Sequence, residues 1–141
     1  MNFINYFLAS IISISGLMIG VILMALAPEE KKMAKKYFPI TGKISIAILA
    51  AIFLFLKTDY ILIIFSVALC AFILFAEFKS ESKWLQLSLL GIIFYISSET
   101  VMFAAVSSMV FFYSISVSGK TRVPEALLFL AVSNILYFCF I

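Results

Sequence analysis

PEEKKMAKKYFPITGK, residues Pro28 to Lys43, is the stretch whose reading decides the fold. It holds five of the chain's ten Lys and Arg residues and two of its seven acids. Long apolar runs flank it on both sides. A knot of cations between two such runs is the pattern of a cytoplasmic loop joining membrane helices, because positive charge is retained on that side. The stretch reads as the cytoplasmic anchor of a polytopic integral membrane protein, and the fold it predicts is all-α.

Composition points the same way. Of 141 residues, 65% are hydrophobic and 12% charged, against roughly 45–50% and about 25% in ordinary soluble domains. A domain of this size leaves much of its surface exposed, so it cannot hide that much apolar area from water. Lipid removes the problem by acting as the solvent for that area. The expectation is a single transmembrane domain over residues 1–141, multi-pass in the cell membrane. The net charge of +3 is small, and its placement beside membrane spans makes anionic head groups the partner, with no nucleic acid.

Several chemistries are disfavoured. The chain has no histidine, which removes the commonest general base and the commonest transition-metal ligand. Cys70 and Cys139 lie in apolar runs outside any C-x-x-C pair and read as small buried apolar residues. No phosphate-cradling glycine motif is present. No catalytic, metal or cofactor set is expected, and the reading is non-enzymatic. Nor does the N-terminus read as a cleavable leader, since it lacks a cationic start and its apolar run is too long.

Working outward from the basic stretch gives six short transmembrane helices, at about 3–27, 40–56, 60–76, 84–97, 101–118 and 124–141, lengths judged against a roughly 30 Å hydrocarbon core. Pro28 ends the first run, and Pro39 opens the second. Residues 29–38 also suit a short helix in the head-group plane, with Met33 and Phe38 toward lipid. Lys43, just inside the second run, reaches back to the interface. Lys57, Thr58 and Asp59 form a tight turn between spans two and three, because that cluster at mid-depth would be expensive. Trp84 suits an interface position, as do Asn2, Asn5 and Tyr6 at the far end of span one. The run from Trp84 to Ser118 is too long for one crossing and splits at Ser97-Ser98-Glu99-Thr100, with Ser98 or Thr100 as a helix cap.

The charges then set orientation. With both termini outside, the cytoplasmic loops are 28–39, 77–83 and 119–123. Together with Lys43 they carry nine of the ten cations, and only Lys57 lies outside. Positive-inside bias therefore predicts N-out/C-out.

Four groups of residues are functional candidates. Glu99 and Asp59, at the outer turns, are either solvated carboxylates or a cation- or proton-collecting pair. Asn134 lies midway along the last span beside Ser133, and Ser107, Ser108, Ser114 and Ser116 stud span five. These read as hydrogen-bonding glue between helices. Ala9, Ser13, Gly16 and Gly20 form a small-residue face on span one, with Gly16 and Gly20 as G-x-x-x-G. Such a face admits a second helix closely; either another span of this chain or a partner fits. The cytoplasmic anchor is Glu29, Glu30, Lys31, Lys32, Lys35, Lys36 and Lys43. It reads as a topology-setting loop or as a recognition surface.

The combination of APEE (Ala27–Glu30), KKYF (Lys35–Phe38) and FYISSE (Phe94–Glu99) resembles uncharacterised small archaeal multi-span membrane proteins. The resemblance covers the first loop and the 94–99 turn, and it implies no activity. The leading expectation is a scaffold or subunit of a membrane complex, with a membrane-protein partner or a second copy. A small transporter or ion/proton channel using Glu99 and Asp59 is the alternative. A membrane-embedded lipid-acting enzyme is third.

Overall fold

A computed structural model of the chain describes residues 2–26, 31–55, 60–79, 83–98, 100, 102–118 and 123–140, with the backbone alone for 31–36, 55, 77–79 and 123. These residues form six α-helices: α1 (Phe3–Leu26), α2 (Lys31–Phe55), α3 (Tyr60–Lys79), α4 (Trp84–Ser97), α5 (Phe103–Val117) and α6 (Val123–Phe140). The fold is all-α.

The helices pack as two layers of three. α5 lies between α1 and α2, α4 lies between α6 and α3, and the layers meet through α1–α6, α5–α4 and α2–α3. The chain neighbours α1 and α2 barely touch, nor do α5 and α6. The most extensive contacts are therefore between helices distant in sequence. α1 and α5 run parallel, since Ser13 meets Ser107 while Gly20 meets Ser118. α4 runs antiparallel to α5, since Gln86 meets Tyr113 while Phe94 meets Phe103. Gly20, Gly42, Lys83 and Ser118 thus share one end of the bundle, here called the basic end. Tyr6, Phe94 and Tyr137 share the other.

Each helix buries one stripe. On α2 it is Gly42, Ser45, Ile46, Leu49 and Phe53; on α3, Ser66, Cys70, Ile73 and Ala76; on α6, Phe129, Ser133 and Tyr137. Spacings of three and four residues put each set on one helical face. Two helices, over 3–26 and 37–54, are long and apolar enough to cross a membrane.

Glycine sets the closest approaches. At Gly16 a Cβ would collide with the Phe111 carbonyl, and at Gly20 with Ser118 and the Ile115 carbonyl. At Gly91 it would sit 3.1 Å from the Phe129 carbonyl. Backbone-to-backbone contact of this kind is open only to glycine, and it brings α1 onto α5 and α4 onto α6.

The structure departs from the sequence reading at several places. α2 begins at Lys31, so residues 31–39 are helical and continuous with the apolar part, and Pro39 lies inside the helix. Its missing N–H removes one bond to the carbonyl four residues back, and the helix carries through. α3 continues to Lys79. α4 ends at Ser97 and α5 starts at Phe103, but no side chain caps α5. The Thr100 hydroxyl instead donates to the Ser97 carbonyl at 2.8 Å, in a chain of tight turns. Tyr6, expected at an interface, is fully buried.

Candidate functional site

Two groups of buried polar side chains join helices of the bundle. At the end away from the lysines, the Tyr6 hydroxyl donates to the Ser133 carbonyl at 3.1 Å, tying α1 to α6. The Tyr6 ring stacks on Tyr137, with centroids 4.3 Å apart, and packs against Phe94 and Phe103. One turn along, Asn134 Nδ2 donates to the Leu130 carbonyl at 2.8 Å and reaches Ser10 Oγ at 3.4 Å. Asn134 therefore does bridge two helices, although its Oδ1 is buried without a donor.

At the basic end, Lys83 precedes α4 and is 2% exposed, and Gln86 is wholly buried one turn later. Positions three apart share a helix face. The Tyr113 hydroxyl, on α5, donates to Gln86 Oε1 at 3.0 Å. Gln86 Nε2 is buried with no acceptor. Gly42 of α2 closes this region from the side, its Cα hydrogen position 2.6 Å from Ser116 Oγ if filled by a Cβ. Nothing in the sequence singled out Gln86 or Tyr113. An isolated glutamine at the third position of an apolar run was the available signal, since a primary amide in that setting needs partners for both its ends.

The serines of α5 behave differently from expectation. Ser108 and Ser116 donate to their own helix, at Ala104 and Tyr113 carbonyls. Ser107 and Ser114 hydroxyls are buried without a partner. None of these four hydroxyls joins two helices, which corrects the expectation of interhelical glue; Ser108 and Ser116 turn instead to a carbonyl three or four residues back, which is always within reach of a helical serine. Ser13, by contrast, donates across to the Ser107 carbonyl at 3.3 Å.

Of the small-residue face on α1, Ser13, Gly16 and Gly20 are buried against α5 of the same chain. Ala9 is half-buried and, with Ile12 and Ser13, lines a groove of about 490 Å³ whose other wall is Phe103, Ala104, Ser107, Ser108, Phe111 and Phe112. Lys31, Lys32, Lys35 and Lys36 lie on the first turns of α2, and Lys43 is half-buried further along it. Glu29, Glu30, Asp59 and Glu99 lie outside the described residues. Among the described residues no three His, Cys, Asp or Glu side chains come together. Cys70 is buried, but Cys139 is exposed, which corrects its expected burial.

Comparison with protein-family models, with curated proteins and with solved structures finds no match to this chain.

Proposed function

We propose that the chain is a six-span, N-out/C-out integral membrane protein that serves as a scaffold or subunit of a membrane complex. One observation carries the membrane part. Of the most apolar 18 residues of α1, only 33% are buried inside the chain. The core helix of a soluble protein turns most of its apolar side chains inward. Here Met18, Ile22 and Leu26 face outward on α1, as do Ile61, Ile64 and Phe75 on α3. Contiguous apolar surface of this extent marks contact with lipid or protein. Exposed Tyr37 and Trp84 at the basic end, and exposed Tyr60 at the start of α3, suit aromatic belts at two interfaces.

Four helices, over 60–76, 84–97, 103–117 and 124–140, are shorter than the usual crossing. Their burial against neighbours and the aromatic ends support crossing with local thinning of the bilayer. The subunit reading rests on the small extramembrane mass. The partner surface it needs must lie elsewhere than Gly16 and Gly20, whose face is filled by α5. Purification from native membranes in mild detergent, after crosslinking, tests it: a defined co-purifying protein is expected. A fully active monomer with no partner overturns it.

A transporter or channel reading is favoured by one feature, the unpartnered Ser107 and Ser114 hydroxyls along α5. It requires Glu99 and Asp59 to act together, so Glu99→Gln abolishes flux in reconstituted vesicles. Unchanged flux removes this version.

A further inference from the structure

The groove of about 490 Å³ between α1 and α5 lies in the half of the bundle away from the lysines. Exposed Ile12, Ala104, Ser108 and Phe112 place its mouth on the outer surface. Small side chains create it, with Ala9 and Ser13 on one helix facing Ala104 and Ser107 on the other. Its geometry is fixed by the helix contact beneath. Gly16 abuts the Phe111 carbonyl, and the Ser13 hydroxyl donates to the Ser107 carbonyl at 3.3 Å. The groove is therefore ready-formed, as binding sites usually are. Three serines line it, yet none offers a free hydroxyl to an occupant. Ser108 donates to the Ala104 carbonyl at 2.9 Å, Ser13 is engaged as above, and the Ser107 hydroxyl is shielded from the surface. Among the described residues that line the groove, none is charged.

We propose that this groove holds an acyl chain of a membrane lipid. Chemistry excludes a polar occupant, because its donors and acceptors would lose water and gain no partner. Shape decides between a lipid chain and a helix of another protein. From Phe103 to Phe112 α5 rises about 13.5 Å, and the groove's volume over that length makes a slot about 6 Å wide. A helix with its side chains is about 10–12 Å across, so it would rest on the rims at Ile12 and Phe112 and leave the floor empty. A hydrocarbon chain, one carbon wide, reaches the floor. Direction agrees as well. α1 and α5 run parallel, and the groove follows them, as acyl chains follow the helices of a bilayer protein. Ordinary lipid touches a helix on one side. Here Phe103, Phe111 and Phe112 add contacts on the flanks, and dispersion accumulates with each atom pair. The lipid source rests on the membrane reading above; the groove's selection of hydrocarbon does not.

The test uses the whole chain in mild detergent and a phosphatidylcholine whose acyl chain carries a photoreactive diazirine, with labelled peptides mapped by mass spectrometry. Label is expected on the segments 9–13 and 103–112. It saturates and is displaced by dioleoyl phosphatidylcholine, but not by glycerophosphocholine, which has the same head group and no chains. Ala104→Leu with Ser108→Leu fills the slot from exposed positions. Labelling there falls about tenfold, the loss of roughly ten carbon–carbon contacts. Ala9→Leu does the same and serves if the double variant does not fold. Ala68→Leu, on the exposed face of α3, leaves the labelling unchanged. Label that never saturates and covers α3 as heavily as the groove overturns the proposal. So does labelling undiminished in the filled variants, or a partner protein crosslinked over Ala104 and Ser108 with no lipid label there. A chain that stays dissolved without detergent defeats the membrane reading instead. Diazirine-bearing palmitic acid in plain buffer, competed by palmitic acid, then decides the groove alone: no saturable label in it overturns the hydrocarbon site too.

Discussion

Tyr113 and Gln86 are both wholly buried, and the phenol of one donates to the amide oxygen of the other at 3.0 Å across the α5–α4 contact. This is the one described side-chain-to-side-chain hydrogen bond joining the middle helices of the two layers. Tyr113→Phe removes it and strands both ends of the Gln86 amide. A loss of about 1–2 kcal/mol in stability follows, the cost of leaving a buried polar group without its partner. Tyr113→Phe with Gln86→Leu removes both polar groups together and recovers part of that loss. Thermal unfolding of the four proteins in detergent gives the coupling. Strictly additive losses would show that the pair does not act as a unit.

Glycine substitutions separate two kinds of close contact. A Cβ at Gly42 meets Ser116 Oγ at 2.6 Å but Ser116 Cβ only at 3.4 Å. Gly42→Ala therefore costs about 1–3 kcal/mol, as overpacking does, and adding Ser116→Ala restores most of it. At Gly20 a Cβ meets Ser118 Cβ at 2.7 Å and the Ile115 carbonyl at 2.8 Å. No trimming of Ser118 removes the carbonyl, so Gly20→Ala stays destabilised in a Ser118→Ala background. Unfolding midpoints of the two double variants check the contrast. Rescue at both sites would mean that α1 shifts freely on α5.

The helices themselves were legible because apolar runs punctuated by Pro28, the Lys57–Asp59 cluster and Ser97–Thr100 admit few other partitions. What stacks on what was not legible. α1 pairs with α5 and barely with α2, and a periodic small-residue face does not name its partner. Gly16 and Gly20 illustrate the gap: their spacing announced a close helix contact but left open whose helix it was. Tyr6 misled for a related reason. An aromatic near a span's end suits an interface by position, yet its hydroxyl finds the Ser133 carbonyl 127 residues away, which no local pattern encodes. Pro39 misled through position as well, since a proline between basic residues and an apolar run reads as a helix start, while α2 had already begun at Lys31. The basic-end site escaped because a single glutamine carries no motif.

The two cysteines provide a direct measure of which helix faces point outward. Cys70 is buried on α3 and Cys139 is exposed on α6. In detergent solution a maleimide adds one label to the native chain and two after denaturation, read by intact mass. Cys139→Ser leaves the native chain unlabelled. Labelling of Cys70 at the same rate as Cys139 would place the α3 stripe of Ser66, Ile73 and Ala76 outside the core.

Orientation and recognition are separable at the basic stretch, because only lysine and arginine count toward topology while acids contribute little. In a Cys70→Ser, Cys139→Ser background, Asn2→Cys reacts with a membrane-impermeant maleimide in intact cells, and Lys36→Cys reacts only after the membrane is opened. The reverse pattern defeats the N-out orientation. Glu29→Gln with Glu30→Gln keeps all five lysines of Pro28–Lys43, so the labelling pattern stays as it was. Crosslinking to a partner is the second readout on the same variant. If the acids serve only as solvated neighbours of the lysines, crosslinking is unchanged too. If the Glu-Glu-Lys-Lys stretch is also a recognition surface, the crosslink is lost while the labelling pattern holds, since like-charge or unpaired contacts at a docking face weaken association without turning a helix over.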